Sequence, residues 1–141
     1  MLFKTLSLAA AAAVSLAAPA MAEDVTVTLT GVEARGGVLL ASLQTRGEFM
    51  QASATYADRV DHPAAGTVRV TFNDVAPGDY ALMVLHDEDA DGRMKMNGYM
   101  PGEGWAMVNG DALRGPPTFD MVKFTVAASG ADLSVPMSYP R

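Results

Sequence analysis

The clearest pattern in the chain is a two-residue alternation. Val25-Thr26-Val27-Thr28-Leu29-Thr30 places an apolar residue at every second position, as a strand with one buried face requires. Val38–Gln44 reads as a second strand, and the glycines between, Gly31 and Gly36-Gly37, predict a β-hairpin joining the two. Thr67–Asn73 alternates again, with Val68, Val70 and Phe72 on one face. Ala76-Pro77-Gly78-Asp79 then predicts a turn, since Pro presets φ and Gly accepts the left-handed region. Tyr80–His86 (YALMVLH) is almost continuously apolar and reads as a central strand. Met121–Val126 and Leu133–Ser138 complete the set around the turn Ser129–Asp132. Gly47–His62 has no clean period and is expected to be an irregular crossover. A short strand is expected near Trp105–Val108. Turns at close spacing and no long helical pattern predict an all-β fold: one antiparallel, seven-stranded, Greek-key-type sandwich. The segment 87–118 forms one long loop, far beyond the usual ~4–6 residues, and such loops are commonly functional.

Composition alters this picture mainly at the N-terminus. Met1–Ala22 carries Lys4, an apolar stretch from Leu6 to Ala18, and Pro19-Ala20-Met21-Ala22. A charged start, a short apolar segment and an Ala-x-Ala site predict a signal peptide cleaved after Ala22, hence a periplasmic or secreted protein. The apolar run is too short for the roughly 20 residues that span a bilayer, so no integral membrane segment is expected after cleavage. Residues 23–141 then form a single domain. Lys4 is one of ten Lys/Arg and all sixteen acids lie after the leader, so the mature charge is 9 − 16 = −7. That balance, without a basic cluster, argues against nucleic acid and anionic membrane surfaces as partners. With no cysteine, disulfides and thiolate chemistry are excluded. An acidic surplus points to cations.

The surplus is local. Asp87-Glu88-Asp89-Ala90-Asp91-Gly92 holds four of the sixteen acids and spells D-x-D-x-D-G, the first half of a calcium loop. Calcium takes six to eight oxygens, and carboxylates on alternate residues of a tight loop can converge on one centre. Asp87, Asp89, Asp91 and the Arg93 carbonyl are the expected ligands, and Asn97 or Glu103 would close the set, with Glu88 and Asp111 as further carboxylates. The twelfth loop position is Gly98 rather than the usual Glu. The competing reading is a solvated turn in which the Asp side chains accept backbone amides. Met94, Met96, Met100 and Met107, with His86 just before them, form a soft donor set that would suit copper(I) in an exported carrier. The alternative for those methionines is packing, since the thioether is an adaptable filler. Tyr99 and Trp105 could form a platform for a glycan or peptide, or pin the loop to the sandwich. A hydrolase is the weaker alternative: His86-Asp87 could orient each other, but no Ser lies in a nucleophile-elbow context.

Val70–Gly92 (VTFNDVAPGDYALMVLHDEDADG), followed by Arg114-Gly115-Pro116-Pro117-Thr118-Phe119 and Phe124-Thr125-Val126, resembles a family of small exported bacterial proteins known as domain of unknown function 2141. The resemblance covers roughly residues 25–139. It implies a transthyretin-like, or carboxypeptidase-regulatory-like, sandwich with no established activity. Taken together, the sequence predicts an exported, non-enzymatic binding or accessory module. Its partner would be a protein or glycan, and its working face the 87–119 loop.

Overall fold

In a computed structural model, the structure describes residues 21–141, and Ala13 alone within the leader. The expected signal peptide therefore falls almost wholly outside the described residues. Among the described residues the chain is nearly all β, and no helix is long and apolar enough to cross a membrane.

Strands β1 (Glu23–Val32), β2 (Val38–Gln44), β3 (Tyr56–Asp61), β4 (Gly66–Val75) and β5 (Gly78–Asp87) come first. Three short strands follow: β6 (Met96–Asn97), β7 (Met100–Pro101) and β8 (Gly104–Ala106). A 3-10 turn (Gly110–Ala112), a single helical turn α1 (Phe119–Val122), β9 (Lys123–Val126) and β10 (Ala131–Pro136) complete the chain. One sheet has the order β10-β1-β4. The other has the order β3-β2-β5-β8, with β9 also on β5. Strands β9 and β8 share one side of β5 end to end, pairing at Gly78–Ala81 and Val84–His86 respectively. The other side of β5 is paired with β2 from Ala81 to Asp87, so β5 is central, as its apolar run predicts.

The core lies between the sheets. Val25, Val27 and Leu29 of β1 and Val70 and Phe72 of β4 face Leu39, Ala41 and Leu43 of β2 and Tyr80, Leu82 and Val84 of β5. Most of these side chains are fully buried, each contributing roughly 1.5–3 kcal/mol relative to exposure. The alternation in β1 follows from this. Its Val and Leu enter the core while its threonines stay half-exposed on the outer face.

Four expectations are corrected. Strands β1 and β2 do not form a hairpin: β1 pairs with β4 and β10, and β2 with β3 and β5. Each strand has one fully apolar face, and both faces are buried only if the strands lie opposite one another across the core. The connection through Gly36-Gly37 is thus an arch between sheets. The Gly47–His62 crossover contains a true strand, β3, whose Asp58 and Arg59 mark it as a charged edge. Asp58 Oδ2 accepts the Thr71 amide at 3.0 Å, so this edge also covers β4 of the other sheet. The expected strand Met121–Val126 begins with a helical turn and becomes extended only at Lys123. Finally, the sandwich is not wholly antiparallel, because β1 and β10 run parallel from Val25↔Ala131 to Thr30↔Pro136. Among the described residues, seven strands have four or more residues, and three shorter ones arise within the long loop.

Candidate functional site

The acidic loop leaves β5 at Asp87, which is 1% exposed. Its Oδ1 accepts the Asp91 amide at 3.1 Å and its Oδ2 the Gly92 amide at 2.7 Å. Asp91 Oδ1 in turn accepts the Arg93 amide at 2.8 Å. Gly92 takes the left-handed backbone (φ 79°) that the tight turn needs. The structure brings Asp87, Asp89 and Asp91 together, with one ligand atom of each within 4.8 Å of the others. Arg93 joins the loop through its amide.

Glu103 does not join that cluster. Glu103, 2% exposed, accepts the Glu88 amide at 3.1 Å and the Lys95 amide at 3.0 Å, one on each oxygen. It acts as a buried brace that fixes both ends of the acidic loop. Asn97 lies in the β6–β7 hairpin, beside Gly102. Lys95 Nζ stands 3.9 Å from Asp89 Oδ2 and brings a positive charge to the ninth loop position, where a calcium loop supplies oxygen.

His86 occupies a different environment from the methionines. Its ring is fully buried on the core side of β5, with Nε2 2.8 Å from the Gly36 carbonyl and Nδ1 2.7 Å from the Tyr139 hydroxyl. Tyr139 Oη also accepts the Glu33 amide at 3.1 Å. The donors order themselves along this chain. The Gly36 carbonyl can only accept, so Nε2 carries the proton; the Tyr139 hydroxyl then donates to Nδ1. A neutral imidazole satisfies every partner. Tyr139 packs edge-on against the ring, and it occupies the space a side chain at Gly104 would need. The predicted pairing of His86 with Met94, Met96, Met100 and Met107 is therefore not assembled, because both ring nitrogens are already engaged on the opposite face.

The methionines gather instead on the outer face of the β3-β2-β5-β8 sheet. There Met50, Met83, Met94, Met96, Met100 and Met107 line one open groove of about 1290 Å³, six of the ten methionines in the protein. Cross-strand register builds its floor. Arg59, Leu40, Leu85 and Trp105 form one row across β3, β2, β5 and β8, and Ala57, Ser42 and Met83 form the next.

Hydrogen bonds hold the walls. The first wall, around Met50, is fixed by Gln44, whose amide oxygen accepts the Met50 amide and whose nitrogen donates to the Gln51 carbonyl. Glu48 closes the same segment on the Thr45 amide and the Thr55 hydroxyl, and those bonds hold its carboxyl below the usual carboxylate range. The second wall is the β6–β7 hairpin, turned by Gly98 at φ 65°. It leaves Met96, Met100 and Tyr99 exposed, Tyr99 completely so. Leu113, Arg114, Pro116 and Pro117 form the third.

Sequence reasoning identified four of the six methionines but missed Met50, Met83 and the floor. The signal for the floor lay in YALMVLH. A strand apolar on both faces needs cover on both, and among the described residues the longest segment between strands of the two sheets is the 87–118 loop.

The family model described as "Uncharacterized protein conserved in bacteria (DUF2141)" matches residues 27–134, and the chain belongs to that family. No curated protein and no solved structure matches the chain.

Proposed function

We propose that this family member is a non-enzymatic binding module acting outside the cytoplasm, and that its working surface is the methionine-lined groove. The groove itself is the observation that carries the reading. Apolar surface left in water costs about 25 cal/mol per Å², and contiguous apolar patches on monomers mark interaction sites. Thioethers suit such a surface because they adapt to the shape of what they hold. The lining offers two hydroxyls, Ser42 and the fully exposed Tyr99, and no imidazole, which supports binding rather than catalysis. The leader pattern supports export, and protein recovered from the periplasm would begin at Glu23.

Nile red, a neutral apolar dye, tests the groove. It should bind the mature protein saturably, with a blue-shifted emission that Met83→Glu abolishes in a folded variant. No uptake, or uptake indifferent to Met83→Glu, would overturn the reading.

A second reading concerns the acidic loop, favoured by the convergence of Asp87, Asp89 and Asp91. Calcium held there would tighten the segment leading into the hairpin wall. It should raise the melting temperature by several degrees, and Asp89→Asn with Asp91→Asn should remove that increment. Equal melting with and without calcium sinks this reading. A copper(I) carrier would have to rely on the thioethers alone.

A further inference from the structure

We propose that the groove takes a single-chain carboxylate amphiphile of the fatty-acid class, with its tail across the strands and its head at Arg114. This inference rests on the groove being the binding surface. The row Arg59–Leu40–Leu85–Trp105 crosses four strands, a span of about 14 Å at ~4.8 Å per strand. An extended peptide buried on that floor would leave its amides and carbonyls without partners, because β2 and β5 are each paired on both sides. An alkyl chain has no such groups. The groove also exceeds the roughly 300–1,000 Å³ of compact small-molecule sites, which favours a long ligand over a small polar one.

The charges at the two sides of the floor are not equivalent. Arg59 is neutralised by Asp61, Nε to Oδ1 at 2.7 Å. Arg114 has no carboxylate partner among the described residues. Its Nη1 donates to the Asp111 and Leu113 carbonyls at 3.0 and 2.9 Å, which fixes the guanidinium and leaves its remaining donors available. The 3-10 turn that precedes it abuts Trp105 at Gly110, so Arg114 lies on the Trp105 side of the floor. A held guanidinium with free donors beside an apolar row is complementary to a carboxylate on an alkyl chain. In a chain of net charge −6, such a cation on an apolar wall is not explained by bulk composition.

Trp105 is the sole tryptophan and lines the groove, so its emission reports occupancy directly. Titration of the mature protein below micellar concentrations should show dodecanoate binding about tenfold more tightly than dodecanol. Across hexanoate, octanoate and decanoate, affinity should rise up to about fourfold per methylene. Arg114→Gln should bring dodecanoate down to the affinity of dodecanol, and Arg114→Lys should retain part of the preference. Equal affinity for acid and alcohol, or a preference that survives Arg114→Gln, overturns the proposal. Nile red uptake without dodecanoate binding overturns it while leaving the groove as the working surface. Displacement of Nile red by an amphipathic helical peptide alone would do the same and make the occupant a protein. Absence of Nile red uptake removes both readings.

Discussion

The Tyr139 hydroxyl lies 2.7 Å from Nδ1 of His86 and ties the last residues of the chain to the central strand. Tyr139→Phe deletes that donor and also the acceptor of the Glu33 amide. His86 is fully buried, so its Nδ1 would be left without a partner, at a cost of about 1–3 kcal/mol. Thermal unfolding of Tyr139→Phe should show a loss of several degrees in Tm. An unchanged Tm would mean that the network contributes nothing to stability.

The same residue gives the fold an alkaline limit. Burial pushes the Tyr139 phenol above its ordinary value near 10, although the Glu33 amide on its oxygen pulls the other way. Burial raises Tyr80 as well. A raised folded value means that the contribution is complete below about pH 10 and is lost as pH rises through the folded value. Denaturant midpoints should therefore fall on the alkaline side, and less steeply in Tyr139→Phe than in the native chain.

A surface network sets behaviour at the opposite extreme. Arg46 holds the Asp120 carboxyl below the usual range, and Thr125, then Lys123, do the same for Asp79. Depressed values contribute above the unfolded carboxylate value and are lost as pH falls through the folded one. These groups are exposed, so the effect should be small and screened by salt. Asp120→Asn should flatten the drop in Tm between about pH 5 and pH 2 at low salt, and leave little difference at high salt.

Gly37 is a steric requirement. Its φ is 61°, and a Cβ there would enter the backbone of Asp87 and Glu88. The left-handed conformation alone costs an L-residue about 1–2 kcal/mol, and the backbone clash adds to it. Gly37→Ala should lower Tm by more than Gly36→Ala, because nothing crowds Gly36. Equal losses would show that strain, not contact with the acidic loop, sets the requirement.

Glu103 can be tested as a brace. Glu103→Gln places an NH₂ against a backbone amide that needs an acceptor, a mismatch of about 1–3 kcal/mol at a buried site. Hydrogen exchange should accelerate at the amides of Glu88 and Lys95 while protection in β1 and β2 persists. Protection unchanged at both amides would assign the loop's order to the Asp87 bonds alone.

Legibility in the sequence followed locality. Strands β1, β2, β4 and β5 announce themselves because one strand's alternation reflects one core. Strand β3 does not: Asp58, Arg59 and Asp61 suit a charged sheet edge, and only Tyr56 and Val60 are large and apolar. Partner choice was less legible than strand existence. The glycines before Val38 suit a hairpin and an arch equally, and only the need to bury both apolar faces decides between them. The acidic loop was readable because its three aspartates are neighbours in sequence. The groove was not, since register alone sets Leu40 beside Leu85 and Leu85 beside Trp105. The separation of His86 from Met83 was available, however, because residues three apart on a strand point to opposite faces.

The parallel union of β1 with β10 fixes when folding can finish. Val25 meets Ala131, 106 positions later, so the middle strand of its sheet lacks one neighbour until the last residues are present. Closing so long a stretch is entropically costly, and contacts this remote in sequence slow folding. Until β10 docks, one edge of β1 stays unpaired and the sandwich stays open on that side, so the closing contact of the fold is also the last that synthesis supplies.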